Sequence, residues 1–185
     1  QIVDRTSWSC LHGVTRWSGD CACTSQNHWK QPLRGALDEL ACEIDAIYGD
    51  WMAKVVRDPW ETRDDYIQVY LGERTLKEFM IEHAGRGLND EEMRIANILL
   101  RAQYERQRMF TSCGWFFDDF DRIEPRNNVS YAAQAVCLTK LASGVDLTGL
   151  AMELFSGVRS TRTGLRADIV FADHIHRAQE VLRDV

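Results

Sequence analysis

Along most of the chain the apolar residues recur at steps of three and four, the spacing that gathers them on one face of an α-helix. From Gln31 the series Leu33, Ala36, Leu37, Leu40, Ile44, Ile47 and Tyr48 predicts a helix with one buried face, stopped at Gly49. A second helix is predicted over residues 59–70, where proline suits the first turn and the acidic start suits the helix dipole. A third runs over 75–84, ended by Gly85 and Gly87. The longest, NDEEMRIANILLRAQYERQRMF, is capped by Asn89, with Asp90, Glu91 and Glu92 in its first turn and Arg101, Arg106 and Arg108 near its end. Pro125 opens a helix through Tyr131, Ala135, Leu138 and Leu141 to Gly144, and shorter helices are expected over 148–155 and 165–182. No segment alternates with period two for long enough to make a convincing strand, ADIVF being a weak candidate. The pattern predicts an all-α fold, an irregular multi-helix bundle of about six or seven helices. Two long loops rich in aromatic residues and cysteine interrupt it, at 6–30 and 109–124.

Composition narrows the picture. A chain of 185 residues, 45% hydrophobic, can bury a substantial core and suits one domain, 1–185, better than two. A net charge of −6, with no Lys/Arg cluster set apart from acids, argues against binding to nucleic acid. No apolar run reaches the roughly 18 residues of a membrane span. The first ten residues also lack the layout of a signal peptide, so a soluble cytoplasmic chain is expected, with no membrane partner. The opening carries no initiating Met and enters the first loop directly, which suggests a piece of a longer polypeptide.

That loop, SWSCLHGVTRWSGDCACTSQNHW at 7–29, holds three tryptophans, three cysteines and two histidines. Of the six cysteines, Cys42 and Cys137 fall on apolar helix faces and read as core thiols. Cys10, Cys21, Cys23 and Cys113 lie in irregular segments where packing alone does not call for sulfur. Together with His12 they offer enough soft ligands for a tetrahedral zinc or an iron–sulfur cluster, although C-x-H-x8-C-x-C is not a common knuckle spacing. Reduced thiols packed beneath the tryptophans, or a disulfide of the Cys10/Cys21 type, are the alternatives. In the second loop, Phe110, Trp115, Phe116, Phe117 and Phe120 either plug the bundle end, with Asp118, Asp119 and Asp121 capping the next helix, or Trp115 presents a stacking face. In the latter case Asp118 or Asp119 would bond sugar hydroxyls beside it. Trp29 and His28 read as a helix-start contact and a solvated side chain, and His83, His174 and His176 as surface or capping residues.

The blocks SWSCLHGVTRW, DCACTS, PLRGAL, QYERQRMFTSCGWFFDD, and the later IE with YAAQAV make part of the chain recognisable. Over about residues 6–143 it resembles the helical region, itself a domain of unknown function, that follows the catalytic barrel in a bacterial branch of glycoside hydrolase family 57. The resemblance implies a helical accessory domain of an α-glucan-active protein, C-terminal to a (β/α) barrel that this chain does not contain. It further implies that Trp8, His12, Trp17, Trp115 and Asp118 line a sugar-binding cleft, and that the partners are the chain's own upstream barrel and an α-glucan or related oligosaccharide. Retaining hydrolysis needs two carboxyl groups about 5 Å apart across the scissile bond. Neighbours such as Asp118/Asp119 or Asp64/Asp65 diverge, so the chain alone is expected to be non-catalytic. Two other readings compete: a metal-stabilised (zinc or iron–sulfur) structural or interaction domain without sugar contact, and a small enzyme pairing Cys10 or Cys113 with His12, for which no orienting group is identifiable.

Overall fold

Local chemistry starts the helices where the side chains can satisfy free N–H groups. Thr75 and Asn89 each accept a hydrogen bond from the backbone N–H three residues on, while Glu78 and Glu92 reach back to the cap, a reciprocal capping box in both cases. Asp58 caps an earlier helix start, accepting from the N–H groups of Trp60 and Glu61 with Pro59 in the first turn. The computed structural model describes residues 7, 10–17, 19, 21–23 and 27–182. Among them the helices are α1 (Lys30–Met52), α2 (Pro59–Asp65), α3 (Ile67–Tyr70), α4 (Leu76–Ala84), α5 (Asp90–Arg108), α6 (Cys113–Phe116), α7 (Ile123–Ser143), α8 (Thr148–Ser156) and α9 (Ala167–Leu182). Only α3 and α6 are single turns, and the described residues contain no strand, so the fold is the all-α bundle the pattern predicts. A lone antiparallel bridge joins Arg159 and Arg166 in the connection before α9.

Three boundaries differ from expectation. Helix α1 runs through Gly49 to Met52, because Tyr48 and Met52 are both fully buried on its inner face and their packing outweighs the roughly 1 kcal/mol that a mid-helix glycine costs. The helix expected over 59–70 breaks at Tyr66, whose ring meets Phe79 edge-on. ADIVF opens α9 instead of forming a strand, since Val170, Phe171 and Ile175 share one buried face at helical spacing. Cys137 is buried as expected, whereas Cys42 is exposed: the inner stripe of α1 passes through Ala41 and Ile44 and leaves it outside.

Two large hydrophobic clusters form the interior. One takes the N-terminal part of α1, from Leu33 to Ile44, with Trp115, Phe120 and the inner faces of α7, α8 and α9. The other takes the end of α1, Tyr48 and Met52, with Phe79, Met80, Ala96, Leu99 and Leu100 of α4 and α5. Helix α1 therefore spans both. No helix among the described residues is long and apolar enough to cross a membrane.

Candidate metal centre

The loop that precedes α1 is folded by a few specific bonds. Gly13 has φ +66°, a left-handed conformation that reverses the chain straight after His12, and the hydroxyl of Thr15 closes the turn on the His12 carbonyl at 2.9 Å. A short 3-10 turn, Thr15–Trp17, follows. Its side chains fasten it to the segment around α6. Arg16 is buried and donates to the Phe116 carbonyl at 3.1 Å while lying over the Phe116 ring, and the Trp17 indole N–H donates to the Ser112 carbonyl at 3.2 Å. On the return, buried Asn27 donates its amide to the Cys21 carbonyl at 2.6 Å, which fixes the CAC stretch against the start of α1.

These constraints bring Cys10, His12, Cys21 and Cys23 together, with one ligand atom of each within 4.8 Å of all the others. The Cys10 sulfur is 3.4 Å from those of Cys21 and Cys23 and 3.5 Å from His12 Nδ1, which in turn lies 3.1 Å from the Cys23 sulfur and 3.6 Å from that of Cys21. A tetrahedron with Zn–S bonds of about 2.3 Å and a Zn–N bond of about 2.0 Å has edges of about 3.5–3.8 Å, and these five spacings match it to within about half an ångström. An iron–sulfur cluster interposes its own iron and sulfide atoms between the ligands and would hold them farther apart. All six cysteines are free thiols, including the Cys10/Cys21 pair. Cys10 and Cys21 are buried, whereas His12 and Cys23 face solvent, so the group has a protein side and an open side. The Cys21 thiol is pulled down to about 6, chiefly by the Cys23 backbone N–H, while Cys23 is pushed up to about 11 by its contacts with the neighbouring Cys10 and Cys21 sulfurs.

The remaining expected site residues divide. Cys113, also expected among the ligands, is exposed on α6 and stands outside the group of four. Trp115 is a core residue and no stacking face: it is 1% exposed and stacks on Trp29 at 6.1 Å and 11°. Beside it Gly114 lies directly against the side chain of Asn128 of α7, with no room there for a β-carbon. Trp29 is correspondingly more than a helix-start contact, with its N–H donated to the Asp118 carbonyl at 3.0 Å. Asp118 itself is exposed and Trp17 is half-buried. Asp119 is buried and accepts from the N–H groups of Phe120 and Arg162, Asp121 pairs with Arg162, and α7 has no side-chain cap, so these acids tie the second loop to the segment before α9. Trp8 lies outside the described residues.

Sequence reasoning missed a second feature. His174 is half-buried and accepts or donates with the Ser130 hydroxyl at 3.3 Å in the wall of a cavity of about 580 Å³ between α3, α5, α7 and α9. Its lining is spread over separate helices, three residues each from α5, α7 and α9 at helical spacing with Tyr66 and Tyr70, so no contiguous motif marks it.

Comparison with known families adds one finding: the model of a domain of unknown function, DUF3536, matches residues 26–185. The four clustered ligands lie just ahead of the matched stretch. Neither a curated protein nor a solved structure matches the chain.

Proposed function

Because the chain belongs to DUF3536, a family described without an activity, we propose its function from the geometry: a helical domain whose N-terminal loop is locked by a structural zinc ion. The convergence of three sulfurs and one imidazole nitrogen at tetrahedral spacing carries this reading. Zinc suits a Cys3His donor set, and binding at four points spread over residues 10–23 would fix a loop that has little core of its own. Metal affinity would thus stabilise the attachment of the loop to α6 and α1 through Arg16, Trp17 and Asn27. Elemental analysis of protein purified without chelator should find about one zinc per chain. Cys10→Ser and Cys21→Ser should each lose it and melt at lower temperature, while Cys113→Ser should keep both metal and melting point. Metal-free protein with unchanged stability in all three variants would defeat the proposal.

A second reading, the accessory domain of a family 57-like α-glucan enzyme, is supported by the sequence blocks and by Trp17 and Asp118, which remain accessible on the two loops. In a protein carrying the barrel, Asp118→Ala or Trp17→Ala should lower kcat/KM on an α-glucan. Unchanged kinetics in both would remove the sugar-contact role.

A further inference from the structure

The cavity between α3, α5, α7 and α9 is built from two chemically distinct parts. One wall is aromatic: Tyr70 and Tyr104 stack at 4.7 Å and 27°, the Tyr104 hydroxyl donates to that of Tyr70 at 2.8 Å, and Tyr66 stands beside them. Leu138 and Ala178 extend the apolar surface. The other part is cationic. Arg101 lines the cavity from α5, and among the described residues its guanidinium has no ion pair or hydrogen bond. Arg177 lines it from α9 and among the described residues is held only by Asp173 at 3.5 Å, both side chains about 70% exposed, a contact too solvated to neutralise it. The one carboxylate in the lining, Glu105, is already matched by two hydrogen bonds from Arg108 at 2.9 and 3.1 Å. Gln134 and the Ser130–His174 pair supply neutral hydrogen-bonding groups. His174 agrees with the positive balance: burial first, then Arg177 and Arg126, lower its affinity for a proton, with Asp173 opposing.

We propose that this cavity binds a small organic anion bearing an aromatic ring, the ring against the tyrosines and the anionic group between Arg101 and Arg177. The volume of about 580 Å³ lies within the range of small-molecule sites, which combine an apolar lining with a few polar groups that fix orientation. A cation finds no open carboxylate. The chain as a whole carries −6, so the attraction for an anion is local to the two arginines and weakens with salt.

The test uses two fluorescent probes of similar shape on the full, metal-replete chain: 8-anilinonaphthalene-1-sulfonate, which is anionic, and N-phenyl-1-naphthylamine, which is neutral. The anionic probe should bind saturably at one site, more tightly than the neutral one and with affinity falling as salt rises. Arg101→Gln and Arg177→Gln should each weaken the anionic probe about two- to fivefold and leave the neutral probe unchanged. Ala178→Trp, which fills the cavity, should block saturable binding of the anionic probe, with far-UV circular dichroism confirming that each variant is folded. Equal binding of the two probes, insensitivity to both arginine changes, or retained saturable binding in Ala178→Trp would overturn the proposal, as would absence of saturable binding in the unmodified chain.

Discussion

A β-carbon placed on Gly114 would lie 2.4 Å from the Asn128 side-chain nitrogen, and Asn128 cannot retreat, since it is fully buried and bonded to both the hydroxyl and the carbonyl of Thr111. Gly114→Ala should therefore destabilise the fold by about 1–3 kcal/mol, the usual cost of overpacking, read as a lower urea midpoint. Gly35 is the contrasting case. It sits exposed in the second turn of α1 with nothing near its missing β-carbon, so Gly35→Ala should raise stability by about 0.5–1 kcal/mol in the same assay. Trp115 separates two roles at one residue: as a core indole stacked on Trp29, its replacement by Ala should cost about 3–5 kcal/mol, whereas a surface ligand contact would leave the unfolding curve where it was.

At the level of elements, the caps of α4 and α5 make a direct prediction. Thr75→Ala and Asn89→Ala each remove one half of a reciprocal capping pair and should each cost about 1 kcal/mol in chemical denaturation. Helix α5 was legible in the sequence because its cap, its acidic first turn and its basic last turn are all local signals. The end of α1 was not, because what carries that helix past Gly49 is the burial of Tyr48 and Met52 against α4 and α5, which no local pattern records. The same division holds in the site. Cys10, His12, Cys21 and Cys23 could be read from their irregular surroundings, yet whether they converge depends on the left-handed Gly13 and on the Asn27–Cys21 bond. Cys113 and Trp115 looked equivalent to them in composition, and only the direction of the α6 turn sends one to solvent and the other to the core.

For the whole molecule, the half-buried His174 couples charge to stability. Its folded-state value lies below the ordinary 6.5, so as the pH falls past 6.5 the unfolded chain takes up this proton first. The contribution is complete above that value and is lost on acidification toward the depressed folded value. His174→Gln should thus flatten the fall in stability between about pH 7.5 and about pH 5.5, measured by urea titration beside the unmodified chain. Helix α1 sets how far such local events can spread, since one rigid rod contributes side chains to both large clusters. At its start, two residues beyond the amide that grips the Cys21 carbonyl, stands Trp29 in its near-parallel stack with Trp115. Two indoles 6.1 Å apart couple their electronic transitions, which makes the pair an optical gauge native to the protein. If it responds when a chelator is added, the near-ultraviolet circular dichroism of this single pair would time how quickly release of the loop reaches the interior.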